Sequence, residues 1–366
     1  APYGTAMRVA QARIAPLLPG VTSPWIWIRR DRVAAGGGMS RETAELLNTY
    51  YSNGGRENFA ALFCRINREQ FGAAGLDCPA PVIVPEAGIY HPERRGRVFG
   101  DLKAYLAWKG VDAANPPPVI ALLFHKSNID SDLTGFIDDT VRRIEKGGAL
   151  AVPLYAPAMS NGELTRLLTV DGKMLASVII NAQIMLNAEG RRTEFEALGI
   201  PVIQATPYRK GEQADWEQDS VSMSPQDIPF YLAQPEYAGV TDPMMAAYAR
   251  KSDGDIVAID YQLASVVKKA LNLARLQNLP NSEKKTAIFY YNYPPGEKNL
   301  GASFLNVPRS LETVLAGFDE RGYSVERRDA DALTDELSSM LKPFYRDDEL
   351  VPLAARGLAE KFSLAS

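Results

Sequence analysis

Val119–Pro157 reads VIALLFHKSNIDSDLTGFIDDTVRRIEKGGALAVPLYAP. Its first six residues are an unbroken apolar run, the pattern of a strand buried on both faces. They deliver His125, Lys126, Ser127, Asn128 and Asp130 into the loop that follows. The spacing then predicts a helix over Gly135–Lys146, stopped at Gly147-Gly148, and a second strand in LAVPLYAP. The unit returns downstream, with MLASVIINAQ (Met174–Gln183) as strand, RRTEFEALG (Arg191–Gly199) as helix and IPVIQATPY (Ile200–Tyr208) as strand. A third copy follows at Lys284–Val325. Repeated helix-glycine-strand units predict an α/β fold of Rossmann-like, doubly wound parallel sheets, because each crossover lays a helix on the sheet.

The third copy is the most polar at its centre. Thr286–Tyr291 is apolar and aromatic, which predicts a buried strand ended by Pro294-Pro295-Gly296. Asn292, Tyr293, Glu297, Lys298, Asn299 and Ser303 crowd the following loop, at what would be a ligand-binding strand end. An ordinary strand-to-helix connection is the alternative. Leu311, Val314, Leu315 and Phe318 then form one helical face, with Gly322 placed to end the helix. Asp255–Leu279 is a long predicted helix, whereas residues 211–248 hold too many prolines for one. Short helices are expected at Asp331–Leu341 and Leu350–Phe362.

Upstream, WIWIRR (Trp25–Arg30) is the one strand-like run before the flexible Gly36-Gly37-Gly38. Ser40 is placed to cap a helix that Gly54-Gly55 stops, and a second helix carries Phe59, Leu62, Phe63 and Ile66 on one face. Pro81–Val84 is strand-like. The loop AGIYHPERRG presents Tyr90, His91 and Glu93, and a short helix covers Asp101–Trp108. The expected organisation is a mainly helical segment over 1–78, an α/β domain over 79–170 and a second over 171–282 ending in the long helix. Residues 283–366 are expected to begin a further α/β domain that this chain leaves unfinished.

Composition narrows the functions. The 366 residues carry 46% hydrophobic residues and a net charge of -4 with both signs interspersed, so no basic stripe exists for a nucleic-acid backbone. Cys64 and Cys78 are not spaced as CxxC, which predicts buried or free thiols rather than a disulfide framework or a zinc site. No apolar run reaches the roughly 18 residues needed to span a bilayer. The chain starts at Ala1 without a leader pattern, so it is expected to be a trimmed or excised piece. Phosphate-loop, dinucleotide-binding, GxSxG and HExxH motifs are all missing.

Only two histidines are present. His91 precedes a proline in its loop, where a histidine is more often a structural hydrogen-bonder than a ligand. His125 leaves a buried strand beside Lys126, Ser127 and Asn128, where a neutral imidazole can accept a proton or hold a metal in transit. A satisfied loop histidine is the alternative. Glu236, in QPEYAG, is a proton acceptor if partly buried and otherwise a solvated carboxylate.

Four segments, in order, resemble a known family. They are YYSNGGRENFAALF (Tyr50–Phe63), PEAGIYHPERRGRVFGDLKAYLAW (Pro85–Trp108), DWEQDSVSMSPQDIPFYLAQPEYAG (Asp215–Gly239) and NYPPGEKNLGASFLNVPRSLETVLAGFDERGY (Asn292–Tyr323). They are similar to segments of the large subunits of tetrapyrrole metal chelatases, CobN of cobaltochelatase and the H subunit of magnesium chelatase. The resemblance implies an early-to-middle portion of a longer ligase-type subunit that binds a porphyrin- or corrin-type macrocycle and inserts a divalent metal, cobalt first and magnesium as the alternative. It also implies separate AAA+ ATPase and adaptor subunits, so that ATP acts only through partners, and a cytoplasmic setting, or a periplasmic one if a signal peptide once preceded Ala1.

Metal insertion requires a base for two pyrrole protons, a task that falls to His125 and Glu236, with His125 also as metal contact. His91, Lys126, Asn128, Tyr291, Tyr293 and Asn299 would touch the ring. Two departures stand out. Where the family shows Arg-Ser/Thr-His, this chain has His125-Lys126-Ser127-Asn128, and a Thr/Ala-Phe segment with a glycine-rich loop is replaced by Asn181-Ala182-Gln183-Ile184-Met185. A paralogue that binds, traffics or demetallates haem or another tetrapyrrole is therefore the second reading.

Overall fold

Alternate residues of Val119–Phe124 enter two different cores. Val119, Ala121 and Leu123 pack into one, and Ile120, Leu122 and Phe124 into the other. Burying a large aliphatic or aromatic side chain contributes about 1.5–3 kcal/mol, so a strand covered on both faces is apolar throughout. The computed structural model of the chain describes residues 26–29, 32–35, 40–95, 97–160, 162–290, 292–297, 299–302 and 304–358. It divides into two compact units, Ala1–Arg275 and Leu276–Ser366.

The first unit opens with the hairpin β1 (Ile26–Arg29) and β2 (Arg32–Ala35), followed by helices α1 (Arg41–Asn53) and α2 (Gly55–Gln70). The strand expected in WIWIRR falls on β1, with Trp25 and Arg30 outside the described residues, as are Gly36, Gly37 and Gly38. Next come β3 (Gly88–Ile89), α3 (Leu102–Lys109), β4 (Val119–Phe124), α4 (Ser127–Asp130), α5 (Gly135–Lys146) and β5 (Leu150–Tyr155). They are followed by α6 (Glu163–Leu168), the small hairpin β6 (Thr169–Val170) and β7 (Lys173–Met174), β8 (Ala176–Asn181), α7 (Ala188–Leu198) and β9 (Val202–Tyr208). The unit ends with α8 (Gln213–Gln218), α9 (Gln234–Tyr237), β10 (Thr241–Ala249), β11 (Ile256–Ala258) and most of α10 (Asp260–Asn278).

Seven strands form one sheet in the order β11-β10-β9-β8-β4-β5-β3. The five from β10 to β5 are parallel, and antiparallel β11 and β3 close the two edges. Helices α3, α6 and α7 cover one face, and α5 and α10 cover the other. This is the expected doubly wound architecture. From β4 the chain adds β5 on one side, then returns and adds β8, β9 and β10 on the other, so propagation reverses between β4 and β8. Open sheets bind their ligands at the carboxyl ends of the strands flanking such a reversal. Strands on both sides of the division expected at 170/171 contribute to this single sheet.

Several local expectations are corrected. Pro81–Val84 is extended but joins no sheet, because helix side chains satisfy its backbone. Asn58 Nδ2 donates to Val82 O at 2.8 Å and Asn58 Oδ1 accepts from Val82 N at 2.8 Å, while Asn53 Oδ1 accepts from Val84 N. Cys64 and Cys78 are joined in a disulfide and are not free thiols. The turn after α2 brings their Cα atoms to 5.6 Å, a proximity that a sequence separation of 14 does not reveal. The long helix starts at Asp260 rather than Asp255, since Ile256–Ala258 pairs with β10 instead.

In the second unit, 286–290 form no strand and Phe289 is 96% exposed. An apolar run becomes a strand only beside a partner, and the described strands of this unit are the two-residue hairpin β12 (Gly301–Ala302) and β13 (Leu305–Asn306). Helices α11 (Val307–Glu320), α12 (Ala330–Leu341) and α13 (Leu350–Ala355) follow. Gly322, with φ of 77°, takes the left-handed position just beyond α11, as its placement predicts.

Gly54 joins the helical pair to the sheet. It has φ of 60°, and a Cβ there would lie 2.3 Å from Asp130 O. Gly72 also has a positive φ but meets nothing within 4 Å. Gly54→Ala is therefore expected to lower unfolding stability by about 2 kcal/mol more than Gly72→Ala, as strain adds to a backbone clash. Urea denaturation of the two variants measures this, and equal losses would place the loop of Asp130 free of the helical pair.

Candidate functional site at the reversal of the sheet

The backbone leaving β4 and β8 is fixed by a buried polar network. Gln183, 3% exposed, donates from Nε2 to Ala156 O at 2.9 Å and to Phe124 O at 3.3 Å, tying the ends of β4 and β5 together. Asn181 Nδ2 donates to Gln204 Oε1 at 2.6 Å, linking β8 to β9. Behind Gln183, Arg191 and Glu194 form an ion pair at 2.6 Å with both side chains 3% exposed. Arg191 also donates to Pro157 O and Gln183 Oε1, and Glu194 accepts from Leu164 N. Carbonyl groups leaving a sheet edge need partners when buried, and these side chains supply them.

In front of the network, a cavity of about 350 Å³ opens at the reversal. Its polar lining is His125, Ser127, Asn128, Thr206, Arg209 and Tyr231, set on an apolar wall that includes Phe136 and Ala205. Ser127 N donates to His125 Nδ1 at 3.1 Å, and Ser127 Oγ lies 2.7 Å from the same nitrogen. Since the backbone N–H can only donate, Nδ1 is the acceptor and the ring proton of neutral His125 sits on Nε2. In this conformation His125 offers the cavity a donor. Binding a metal through Nε2 requires the other tautomer and the loss of the Ser127 N–H bond.

Partial desolvation, the larger effect, lowers the His125 pKa below its ordinary value; Asp130 opposes this and Lys126 adds to it. The Lys126 ammonium is held by Asp130 Oδ1 at 2.9 Å and Oδ2 at 3.1 Å. Asn128 lines the cavity and donates from Nδ2 to Leu133 O. Arg209 pairs with Asp227 at 3.1 Å. Burial raises the Tyr231 pKa, with Arg209 opposing, so the phenol remains a proton donor at neutral pH.

Glu236 and His91, of the same unit, do not line this cavity. Glu236 is exposed on α9 and borders a second cavity of about 290 Å³ with Gln204 and Thr241; Tyr231 lines both cavities. His91 is 1% exposed. Its Nδ1 accepts from Glu93 N, its Nε2 lies 3.3 Å from Glu145 Oε1, and its ring packs 4.9 Å from that of Trp108. Tyr293 and Asn299 belong to the second unit, where Asn299 Nδ2 donates to Pro294 O and Pro295 O and braces its own loop. Tyr291, Lys298 and Ser303 lie outside the described residues. Among the described residues no three His, Cys, Asp or Glu side chains converge to hold a metal, and no helix is long and apolar enough to cross a membrane.

Thr206, Arg209 and Tyr231 escaped the sequence reading. Tyr231 lies in a quoted segment, but a π-helical turn over Pro229–Ala233 presents it, and no apolar period announces such a turn.

With two histidines in the chain, proton NMR resolves each one. His125 is expected to titrate below about 6.5, and Lys126→Gln to raise its midpoint by removing a cation and exposing the Asp130 charge. Because the folded midpoint lies below the unfolded one, His125 reduces stability as pH falls through about 6.5 towards the folded value and has no effect above that window. An unchanged or lower midpoint in Lys126→Gln would show that the ring does not sense this pair.

A family model described as CobN/Magnesium Chelatase matches residues 48–356. The ChlH subunit of magnesium chelatase from Oryza sativa subsp. indica is 26% identical over 288 residues, which is 74% of this chain and 20% of that protein. The aerobic cobaltochelatase subunit CobN of Pseudomonas aeruginosa is 26% identical over 342 residues, 88% of this chain and 26% of that one. The solved catalytic subunit of cobaltochelatase from Mycobacterium tuberculosis superposes with a TM-score of 0.65 at 22% identity, over 83% of this chain and 26% of its own, a likeness of fold. The chain thus spans about a fifth to a quarter of these relatives. On a match that runs from the last turns of α1 through α2, the whole sheet and most of the second unit, the chain belongs to the CobN/magnesium chelatase family.

Proposed function

We propose that this chain is part of the large subunit of a tetrapyrrole metal chelatase and receives the macrocycle at the cavity where the sheet reverses. The observation that carries this reading is the coincidence of the family match with a cavity at that position, walled by apolar side chains and offering a few directed donors. His125 Nε2–H and the Tyr231 hydroxyl would donate to the edge of the ring, Asn128 and Thr206 would orient it, and the apolar wall would exclude water from it. The divalent metal is a second substrate. Cobalt is the metal we infer, since CobN of P. aeruginosa matches 88% of this chain against 74% for rice ChlH. ATP would act through separate AAA+ and adaptor subunits. Pyrrole deprotonation requires a base, and His125 fills that role only after Nδ1 is released from Ser127.

A second reading is favoured by two observations. His125 is held as a donor, and the Cys64–Cys78 disulfide suits an oxidising compartment better than the cytosol. Together they describe a family member that binds or carries a tetrapyrrole without inserting metal.

Titration of the chain with hydrogenobyrinic acid diamide, protoporphyrin and haem, followed by Trp and Tyr fluorescence, tests the shared claim. At least one should bind, and His125→Ala or Asn128→Ala should weaken it roughly tenfold, the loss expected for one directed hydrogen bond to a desolvated group. Failure of all three to bind, in this chain and in a longer protein containing it, would refute both readings. Cobalt insertion with added ATPase subunits supports the first, and binding without insertion supports the second.

A further inference from the structure

A larger cavity, of about 420 Å³, lies on the other side of the β4–α5 connection. Whereas Asn128 of that connection faces the first cavity, Ile129, Asp132 and Thr134 line this one. Its remaining walls are the start of α2, the extended segment 82–85 and the loop after β3. Four arginines line it, Arg56, Arg94, Arg95 and Arg97, against two carboxylates, Glu57 and Asp132. Such an excess of cations around one cavity requires an explanation in a chain whose net charge is -4.

The arginines are not equivalent. Arg95 is committed, pairing at 2.5 Å with Asp138, which also accepts from the Tyr90 hydroxyl at 2.8 Å. Arg94 stacks over the Phe99 ring at 4.5 Å, which leaves the edge of its guanidinium for a ligand. Arg56 and Arg97 are exposed, and neither side chain has an ion pair or hydrogen bond among the described residues. The backing wall is rigid, since Asn58 clamps Val82 through both of its amide atoms. Arg56 stands in the first turn of the 16-residue helix α2, whose Gly54 cap provides no side-chain acceptor. Unpaired N–H groups there add to the positive field.

We propose that this cavity is an oxyanion site, in which Arg56 and Arg97, backed by Arg94, bind the peripheral carboxylates of the macrocycle. The identity of the ligand rests on the chelatase-family reading above, whereas the oxyanion chemistry rests on the arginines alone. A guanidinium pairs with a carboxylate through two parallel N–H donors, so an acid-bearing edge would be anchored here.

Calorimetric titration of the 366-residue chain separates the two levels. The probes are protoporphyrin, its dimethyl ester, and, as carboxylate and phosphate without a ring, succinate and inorganic phosphate. In the Arg56→Ala/Arg97→Ala variant, protoporphyrin is expected to bind at least about tenfold more weakly while the dimethyl ester is unaffected, with partial recovery in Arg56→Lys/Arg97→Lys. Thermal melts establish that both variants are folded, as exposed, unpartnered side chains allow. If protoporphyrin does not bind but succinate or phosphate binds and is lost in the alanine variant, the oxyanion site stands and the tetrapyrrole reading falls. Equal weakening of acid and ester, no weakening of either, or no binding of any probe would overturn the proposal.

Discussion

Gln183 is the point on which the candidate site depends. Its amide ties Phe124 O, at the end of β4, and Ala156 O, one residue past the neighbouring parallel strand β5, to the start of the loop after β8. Strand ends that diverge lose their ladder partners, and a carbonyl left buried without a donor costs roughly 1–3 kcal/mol. Gln183 removes that cost at the place where the sheet reverses, and Arg191 and Glu194 hold Gln183 in turn. The loop carrying His125 and the loop carrying Ala182 can therefore part and leave a cavity between them without leaving unsatisfied backbone behind it.

The parts of this arrangement that follow a period were legible in the sequence. Val119–Phe124 and Leu150–Tyr155 announce themselves because burial on both faces demands apolar residues throughout, and an amphipathic helix separates them. His125 and Asn128 were legible by position, as the first polar residues beyond such a strand. Gln183, Asn181, Gln204, Arg191 and Glu194 were not, since a polar residue reads as exposed unless its buried partners are known. Strand β10 was hidden for another reason. Pro243 lies within it, and register shifts on both sides of Met244 and Met245 break its alternation.

Two errors ran the other way. Pro81–Val84 and Thr286–Tyr291 have strand composition, but composition cannot say whether a neighbouring strand exists. The first found helix side chains to bond with, and residues 286–290 of the second pair with no described strand. The disulfide was missed because pairing depends on how α2 and the following turn fold back, which 14 residues of separation leave open.

The central claim is that the macrocycle enters the cavity of His125. The two histidines provide an internal control, since His91 is buried away from that cavity between Glu145 and Trp108. In a chain labelled at histidine, added protoporphyrin is expected to displace the His125 ring resonances through the ring current and leave those of His91 in place. A porphyrin that binds while His125 stays unmoved, or that moves His91 instead, would contradict this account.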